Sequence, residues 1–121
     1  MKVFLFVSIF LGLLVTSVLT IEAVDHYQKT QVFEAKEREA NNADAITVYE
    51  TAVLTLNEVR IPVANYGRNS EGNPSISLLI PNQSIIVKKG DVFEVEGKPY
   101  EVFDIYEDAD GHGRIAILEL K

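Results

Sequence analysis

The pattern of hydrophobic and polar positions divides the chain into three stretches, residues 1–21, 22–43 and 44–121. The first contains an unbroken apolar run, VFLFVSIFLGLLVTSVLTI, without a charged residue or a proline. The second is polar and lacks glycine and proline, whereas the third alternates short apolar segments with glycine, proline and asparagine. Because hydrophobic periodicity is the main sequence signal of secondary structure, the pattern predicts an apolar helix, a helical stalk and a small β domain.

The apolar run, residues 3–21, has the length of a transmembrane helix. As a helix it spans roughly 28 Å, close to the thickness of a bilayer core. Lys2 precedes the run and Glu22 follows it, which favours a cytoplasmic N-terminus and a β domain outside. Three interpretations are open: a permanent anchor, a cleaved signal peptide with small residues near positions 15–17, or a helix buried between subunits of an assembly.

Residues 22–43 have the composition of a solvent-exposed helix. They are rich in Glu, Lys, Gln and Ala, and Asp25 and Lys29 form an acid-before-base pair one helical turn apart. A broken apolar stripe is formed by Val24, Tyr27, Gln31, Val32 and Ala35. This stripe is too weak to indicate a long coiled coil. We therefore predict a helical stalk that ends near residues 41–42, where two asparagines stand.

Residues 44–121 show the pattern of short β-strands. Pro62 predicts that one strand lies at a sheet edge, and NYGRNSEGNPS, residues 65–75, predicts a long mobile loop. Strands are predicted within 45–56 and at 59–64, 76–80, 85–88, 92–95, 99–106 and 114–120. Roughly five to seven short strands with turn signals between them are typical of a small barrel or sandwich. We predict an α+β fold, with the helix followed by a small, mostly antiparallel β-barrel or β-sandwich.

Composition and charge exclude several classes of function. The chain has 121 residues, enough for one domain, and its 18 acidic against 11 basic residues give a net charge of −7. The basic residues are scattered, so we expect no specific nucleic-acid binding. The absence of cysteine excludes disulfides, thiol catalysis and cysteine-ligated metals.

The segment EDADGHG, residues 107–113, is the main candidate for chemistry. As a calcium-binding loop it places Tyr106 and Ile117 where carboxylate ligands are needed. A zinc site lacks a second histidine in the β domain, and a hydrolase would need a serine brought to His112 by the fold. Asp and Gly are also common turn residues. We therefore interpret the segment as a hairpin turn and predict a non-enzymatic protein without a metal or cofactor.

Residues 74–120 resemble the C-terminal part of small phage head–tail joining proteins (head-completion, connector or stopper proteins). The matching segments are PSISLLI, KKGDVFEVEGKPYEV and DADGHGRIAILEL. The residues that carry the resemblance are Lys89, Gly90, Asp91, Gly97, Tyr100, Val102, Asp110 and Gly111. The resemblance implies a structural virion protein that forms a ring or lattice through its β domain, with copies of itself and other virion proteins as partners. The apolar run departs from the family pattern.

The resemblance implies that strand edges and the segment 65–75 contact neighbouring subunits. The predicted contact residues are Tyr66, Arg68, Asn73 and Ile76. The alternative is a single-pass membrane protein whose β domain lies outside the membrane and binds a partner or assembles laterally, like a pilin or a component of a membrane-containing virion. The usual pilin signature is weak here, because Gly12 is followed by LLVTS without a glutamate.

Overall fold

The computed structural model describes residues 24–121, so the predictions for the apolar run lie outside the described residues. Residues 24–42 form a helix, α1, and eight strands follow it. The strands are β1 (Ile46–Tyr49), β2 (Val53–Leu56), β3 (Val59–Arg68), β4 (Pro74–Ile80), β5 (Gln83–Lys88), β6 (Val92–Val95), β7 (Lys98–Glu107) and β8 (Gly113–Glu119).

The strands form two four-stranded antiparallel sheets that pack face to face. The first sheet has the order β1-β8-β7-β6 and the second has the order β2-β3-β4-β5. The chain thus enters the first sheet, forms the whole second sheet by consecutive hairpins, and returns to complete the first. The helix followed by an antiparallel β domain confirms the coarse prediction, and of its two alternatives the sandwich is correct and the closed barrel is wrong.

The core lies between the two sheets and follows from the alternation along each strand. In β2 the side chains of Leu54 and Leu56 are buried, whereas those of Val53 and Thr55 are exposed. The largest fully buried side chains are Tyr100, Leu54, Leu56, Ile61, Ile76, Leu78, Ile115, Ile117, Val63, Val95 and Val102. Burying one such side chain stabilises the fold by about 1.5–3 kcal/mol before entropy is counted.

Strand β3 differs from its prediction. It lies between β2 and β4 rather than at an edge, and it extends to Arg68. Proline lacks a backbone NH to donate to a neighbouring strand. Pro62 pairs with Val53 of β2, and the ladder with β4 begins only at Val63, so the missing NH interrupts none of the pairs formed with β4. The predicted loop over residues 65–75 is therefore reduced to residues 69–73, a turn in which the Asn69 side chain accepts two backbone hydrogen bonds.

A register shift in β7 changes which side chains face the core. The pairing with β8 is irregular between Val102 and Asp104, so one extra residue is inserted, as in a β-bulge. Simple alternation places Ile105 on the face opposite to Tyr100, but Ile105 lies in the same core cluster. The shift also turns Asp104 and Tyr106 to the outer face of the first sheet, where they meet α1.

Helix α1 packs across this outer face. Ala40 is fully buried against Tyr106 and Ala116, and the ring centroid of Phe33 lies 5.8 Å from that of Tyr106. The helix ends at residue 42, close to the predicted position, and Asp44 takes a positive φ of 57° just after it. Within residues 24–121, no helix is both long and apolar enough to cross a membrane.

The weak apolar stripe of the stalk faces away from the sandwich. Val24, Tyr27 and Val32 are 48%, 61% and 57% exposed. The side of the helix that contacts the sheet instead carries Phe33 and Ala40. On a helical wheel this side lies roughly opposite the apolar stripe. The first part of α1 therefore projects beyond the sheet with most of its surface in solvent.

Candidate functional sites

The EDADGHG segment forms the turn between β7 and β8, and Asp108 organises it. The Asp108 carboxylate accepts hydrogen bonds from the backbone NH of Asp110 at 2.9 Å and of His112 at 3.0 Å. The His112 Nδ1 atom lies 3.3 Å from the other Asp108 oxygen. Gly111 has a φ of 88°, which favours glycine at this point of the turn. The segment is thus a tight turn stabilised by an aspartate side chain.

The same turn brings together Asp108, Asp110 and His112. Ligand atoms of the three side chains lie within 4.8 Å of one another, which is within reach of a shared cation. However, both oxygens of Asp108 already take part in the turn, and Asp110 and His112 are exposed. The hydrogen bonds account for the conformation without an ion. The geometry of the cluster is therefore explained by the turn alone.

The hydrogen bonds also set the acidity of Asp108. Its partial burial opposes ionisation, but the hydrogen bonds from His112 and Asp110 outweigh it and lower the pKa of the carboxyl below its ordinary value of 3.8. A lowered folded-state pKa means that ionised Asp108 stabilises the fold above pH 3.8. This contribution is lost as the pH falls through the lowered pKa.

Substitution of Asp108 distinguishes a turn from a metal site. We expect Asp108→Ala to lower the free energy of unfolding by about 1–2 kcal/mol, because two backbone NH groups lose their acceptor. Asp108→Asn keeps an acceptor oxygen and should lose less than half as much. Urea unfolding of both variants, in metal-free buffer and again with added divalent cations, measures this difference. Equal losses for the two variants, seen only when divalent cations are present, would contradict the turn interpretation.

A cleft of about 400 Å³ lies beside this turn, lined by Tyr49, Glu50, Thr51, Asp108 and His112. Glu50 is held there by structure, since its carboxylate accepts from the backbone NH of Tyr66 at 3.2 Å and of Gly113 at 3.3 Å. His112 bonds to Asp108, and none of the described residues lining the cleft is a serine. The cleft therefore brings no serine to His112.

A second cleft, of about 430 Å³, lies where α1 meets the sandwich. Its lining residues include Lys36, Asn73, Lys88, Lys89 and Asp104. The Asp104 side chain is 9% exposed, and its oxygens lie 3.2 Å from Lys36 Nζ and 4.0 Å from Lys89 Nζ. A buried carboxylate needs such partners. The ion pair between Lys36 of α1 and Asp104 of β7 therefore helps to hold the helix on the first sheet.

A second polar network joins the helix to the same face. The Glu37 carboxylate accepts hydrogen bonds from the Arg114 guanidinium and, at 2.7 Å, from the Tyr106 hydroxyl. Arg114 also donates to Thr47 Oγ1 at 2.8 Å, and its guanidinium carbon lies 4.5 Å from the centroid of the Tyr49 ring. Burial, followed by the bond to Glu37, raises the pKa of Tyr106 well above its usual range. The hydroxyl is therefore a donor at physiological pH.

The residues that carry the family resemblance are turn and core residues of the last four strands. Gly90, Gly97 and Gly111 have positive φ values of 91°, 80° and 88°. Asp91 closes the turn after β5, since its carboxylate accepts from the backbone NH of Lys88 at 3.0 Å. Tyr100 is 1% exposed, in the core. Of the others, Val102 is fully buried, Lys89 lies beside Asp104, and Asp110 is at the exposed tip of the β7–β8 turn.

The four predicted contact residues have different surroundings. Tyr66 packs on Gly113, and its hydroxyl donates to Glu107 at 3.2 Å. Arg68 donates to the carbonyl oxygen of Gly72 at 3.0 Å, and Asn73 is exposed at the rim of the lysine-containing cleft. Ile76 is fully buried in the core, so the prediction that it contacts a neighbouring subunit is wrong.

Sequence reasoning missed the exposed apolar surface of the second sheet. Val53, Leu79 and Ile86 are 45%, 39% and 74% exposed and lie on its outer face, where no helix of the described residues covers them. The signal for this surface is the apolar run IIV in β5. Successive side chains of a strand face opposite sides of the sheet, so a run of apolar residues places at least one of them on the outer face. This outer face is the largest difference between the two sheets.

Comparison with known proteins adds no relative to these observations. No family model matches the chain, and neither a curated protein nor a solved structure matches it at a significant level.

Proposed function

We propose that this chain is a non-enzymatic structural subunit of a virion, which assembles with copies of itself through its β-sandwich. The observation that carries the proposal is the asymmetry of the two sheets. Helix α1 packs on the outer face of the first sheet and leaves Val92 of β6 59% exposed there, whereas the outer face of the second exposes Val53, Leu79 and Ile86. Exposed apolar side chains on one face of a sheet are candidates for an interaction surface.

The polar clusters support the same proposal, because each is explained by a structural contact. Asp108 closes a turn, Glu50 binds backbone NH groups, and Glu37 and Asp104 hold the helix. Catalytic groups usually sit in a cleft with unsatisfied capacity for a substrate. Among the described residues, no buried side-chain nitrogen or oxygen lacks a hydrogen-bond partner.

The order of turns in residues 74–120 supports a place in the neck of a tailed phage. The KKGD turn joins β5 to β6, the glycine turn at Gly97 joins β6 to β7, and the DADG turn joins β7 to β8. The resemblance to head–tail joining proteins rests on this order. In such a role the sandwich packs against neighbouring copies in a ring.

The test is the composition of purified particles. We expect mass spectrometry of gradient-purified virions to find the chain in a fixed copy number, and electron microscopy to place an eight-stranded sandwich at the head–tail junction. A chain that is absent from particles while portal and capsid proteins are present would overturn this role.

A second candidate is a membrane-anchored β module, and one observation favours it. Val24 and Tyr27, at the described start of α1, are 48% and 61% exposed, so this end of the described helix is not packed on the sandwich. The apolar run, residues 3–21, ends three residues before Val24. Resistance of the chain to carbonate extraction, together with protease access to the sandwich in intact cells, would support this candidate. Full release by carbonate would exclude it.

A further inference from the structure

A cleft of about 310 Å³ opens between β5 and β6, the last strands of the two sheets. Ile86 of β5 and Val92 of β6 line it and are 74% and 59% exposed. No other large hydrophobic side chain of the eight strands is as exposed as either of them. Exposed apolar surface at an unpaired sheet edge is typical of a site for strand addition. The cleft is therefore a candidate binding surface.

The backbone groups of β5 that face the open edge follow from the hairpin that precedes the strand. Ile80 and Gln83 close a two-residue turn, and a two-residue hairpin closes on a hydrogen-bonded pair. Hydrogen-bonded and non-hydrogen-bonded pairs alternate along the ladder, so Ile85 bonds to β4. Ser84 and Ile86 therefore direct their NH and C=O groups to the open edge.

Asp91 limits the open edge at one end of β5. Its carboxylate accepts from the backbone NH of Lys88 at 3.0 Å, and its own NH donates to the Lys88 C=O at 3.1 Å. Both edge groups of Lys88 are thus occupied within the chain. The NH and C=O groups of Ser84 and Ile86 remain, and they are enough for a short paired segment rather than a long strand.

The charge of the cleft indicates what kind of chain it attracts. Its charged lining residues are Asp91 and Glu94, both acidic, whereas Lys88 lines the cleft beside α1 instead. Glu94 is exposed and forms no ion pair within residues 24–121. The chain has a net charge of −7, so a second copy is repelled from an acidic cleft and a basic partner is attracted to it.

We propose that this cleft binds an extended segment of a different protein, in which lysine or arginine alternates with β-branched apolar residues. The segment pairs with the backbone of Ser84 and Ile86 and becomes an additional strand of the second sheet. In strand addition the main-chain hydrogen bonds supply affinity and the side-chain contacts supply specificity. The inference goes beyond the proposed self-assembly, because the occupant is not a copy of this chain.

The alternation follows from the two sides of the added strand. In an antiparallel pairing, the partner residues that bond to Ser84 and Ile86 place their side chains on the outer face beside Ile86. The residue between them faces the inside of the sandwich, where Ile85 and Phe93 line the cleft. Lysine or arginine suits this inner position, because its stem packs on apolar surface while its charged head reaches a carboxylate such as that of Glu94.

A dye-labelled, acetylated peptide in which lysine and valine alternate is the probe. We expect it to bind saturably to the whole chain in mild detergent, as measured by fluorescence anisotropy. A peptide of the same length with glutamate in place of lysine should bind at least about tenfold more weakly. Added salt should weaken binding of the lysine peptide, since the carboxylates lie at an exposed edge. Equal binding of the two peptides, or no saturable binding, would overturn the proposal.

A proline variant tests the backbone pairing. Ile86→Pro removes an NH that faces the open edge and removes no bond to β4. We expect it to weaken binding of the lysine peptide by about tenfold, because a main-chain bond is lost, while the circular dichroism spectrum is unchanged. Ile86→Val retains the NH and is the matched control, with binding close to that of the wild type. Binding by Ile86→Pro equal to that by Ile86→Val would show that the peptide does not pair with β5.

A charge reversal tests the acidic side of the cleft without changing the backbone. We expect Glu94→Lys to weaken binding of the lysine peptide by about fivefold or more, since an attraction is replaced by a repulsion. Glu34→Lys makes the same change at an exposed position of α1 outside the cleft and should leave binding nearly unchanged. Equal weakening by the two variants would mean attraction to the net charge alone and would overturn the site.

Other occupants and the virion role are distinguished in the same experiments. Sedimentation that shows a dimer of the wild type but not of Ile86→Pro would place a second copy on the edge and overturn the proposal. A chain that is present in particles but does not bind the lysine peptide loses this site and keeps the virion role. A chain that is absent from particles but binds the peptide in a manner that depends on Ile86 and Glu94 keeps this site and loses the virion role.

Discussion

Replacing Gly113 by alanine is expected to lower the free energy of unfolding by about 2–3 kcal/mol, the cost of overpacking a filled site. Gly113 is buried at the start of β8, and the ring of Tyr66 occupies the space that a Cβ atom would need. The ring cannot move aside freely, since the Tyr66 backbone NH is bonded to Glu50 and its hydroxyl to Glu107. The contact joins β3 of the second sheet to β8 of the first.

Gly67 provides a matched control for this substitution. It follows Tyr66 in β3, no atom lies within 4 Å of the position of its Cβ, and its φ is not in the left-handed region. We expect Gly67→Ala to change the free energy of unfolding by less than about 0.5 kcal/mol, as for most surface substitutions. Urea unfolding of the two variants, followed by circular dichroism, measures the difference.

A double-mutant cycle with Tyr66→Ala tests the cause. Removing the ring has its own cost, but it should abolish the additional cost of Gly113→Ala. The expected coupling is about 2 kcal/mol, within the range for residues in contact. Additive effects of the two substitutions would show that the Tyr66 ring does not restrict Gly113. A loss in Gly67→Ala as large as in Gly113→Ala would also contradict the argument.

The features that could be predicted from the sequence are those set by neighbouring residues. Gly90, Gly97 and Gly111 lie between the predicted strands, where glycine is expected because it adopts positive φ without strain, and each has a positive φ. The alternation of Leu54 and Leu56 with polar or exposed positions similarly requires only the two-residue period of a strand. These local rules were enough for a helix followed by an antiparallel β domain.

The features that could not be predicted depend on residues far apart in the chain. Ile105 reaches the core only because the pairing with β8 contains a bulge. Pro62 is accommodated because β2 and β4, the strands on either side of β3, pair with different parts of β3. The sequence around Ile105 does not indicate the bulge, and the sequence around Pro62 does not indicate the pairing of β3. Both therefore required knowledge of which strand lies beside which.

The candidate sites show the same division. The turn chemistry of Asp108 was evident from EDADGHG, since aspartate commonly accepts backbone bonds within a few residues. In contrast, Ile76 and Ile86 both lie in short apolar runs, yet one is fully buried and the other is 74% exposed. The difference is set by the face of the second sheet to which each points. The apolar runs themselves do not contain that information.

Replacing Glu37 by alanine is expected to release α1 from the first sheet and to lower the free energy of unfolding by about 2–4 kcal/mol, as for a partly buried pair that loses one partner. The Arg114 and Glu37 side chains are 17% and 21% exposed, so solvent replaces the lost partner only in part. The Tyr106 hydroxyl also loses its acceptor. The loss of stability should be largest in α1, because Glu37 bonds the helix to Tyr106 and Arg114 of the first sheet.

Glu37→Gln separates charge from hydrogen bonding. The amide oxygen can accept from Tyr106, but it cannot neutralise Arg114, so we expect an intermediate loss of about 1–2 kcal/mol. Glu34→Ala is the control, because Glu34 is exposed on the same helix one turn earlier. It should change the free energy of unfolding by less than about 0.5 kcal/mol.

Hydrogen exchange locates the effect. We expect Glu37→Ala to accelerate exchange of residues 33–42 while the strands of the second sheet remain protected, since local opening follows the loss of local contacts. The pKa of Tyr106 is raised in the folded state. The contribution of its neutral hydroxyl to the free energy of unfolding is therefore full below pH 10.0, the ordinary tyrosine pKa, and declines as the pH rises above that value. Tyr106→Phe should remove this part of the alkaline loss. Helix protection in Glu37→Ala equal to that in Glu34→Ala would show instead that apolar contacts of Phe33 and Ala40 suffice to hold the helix.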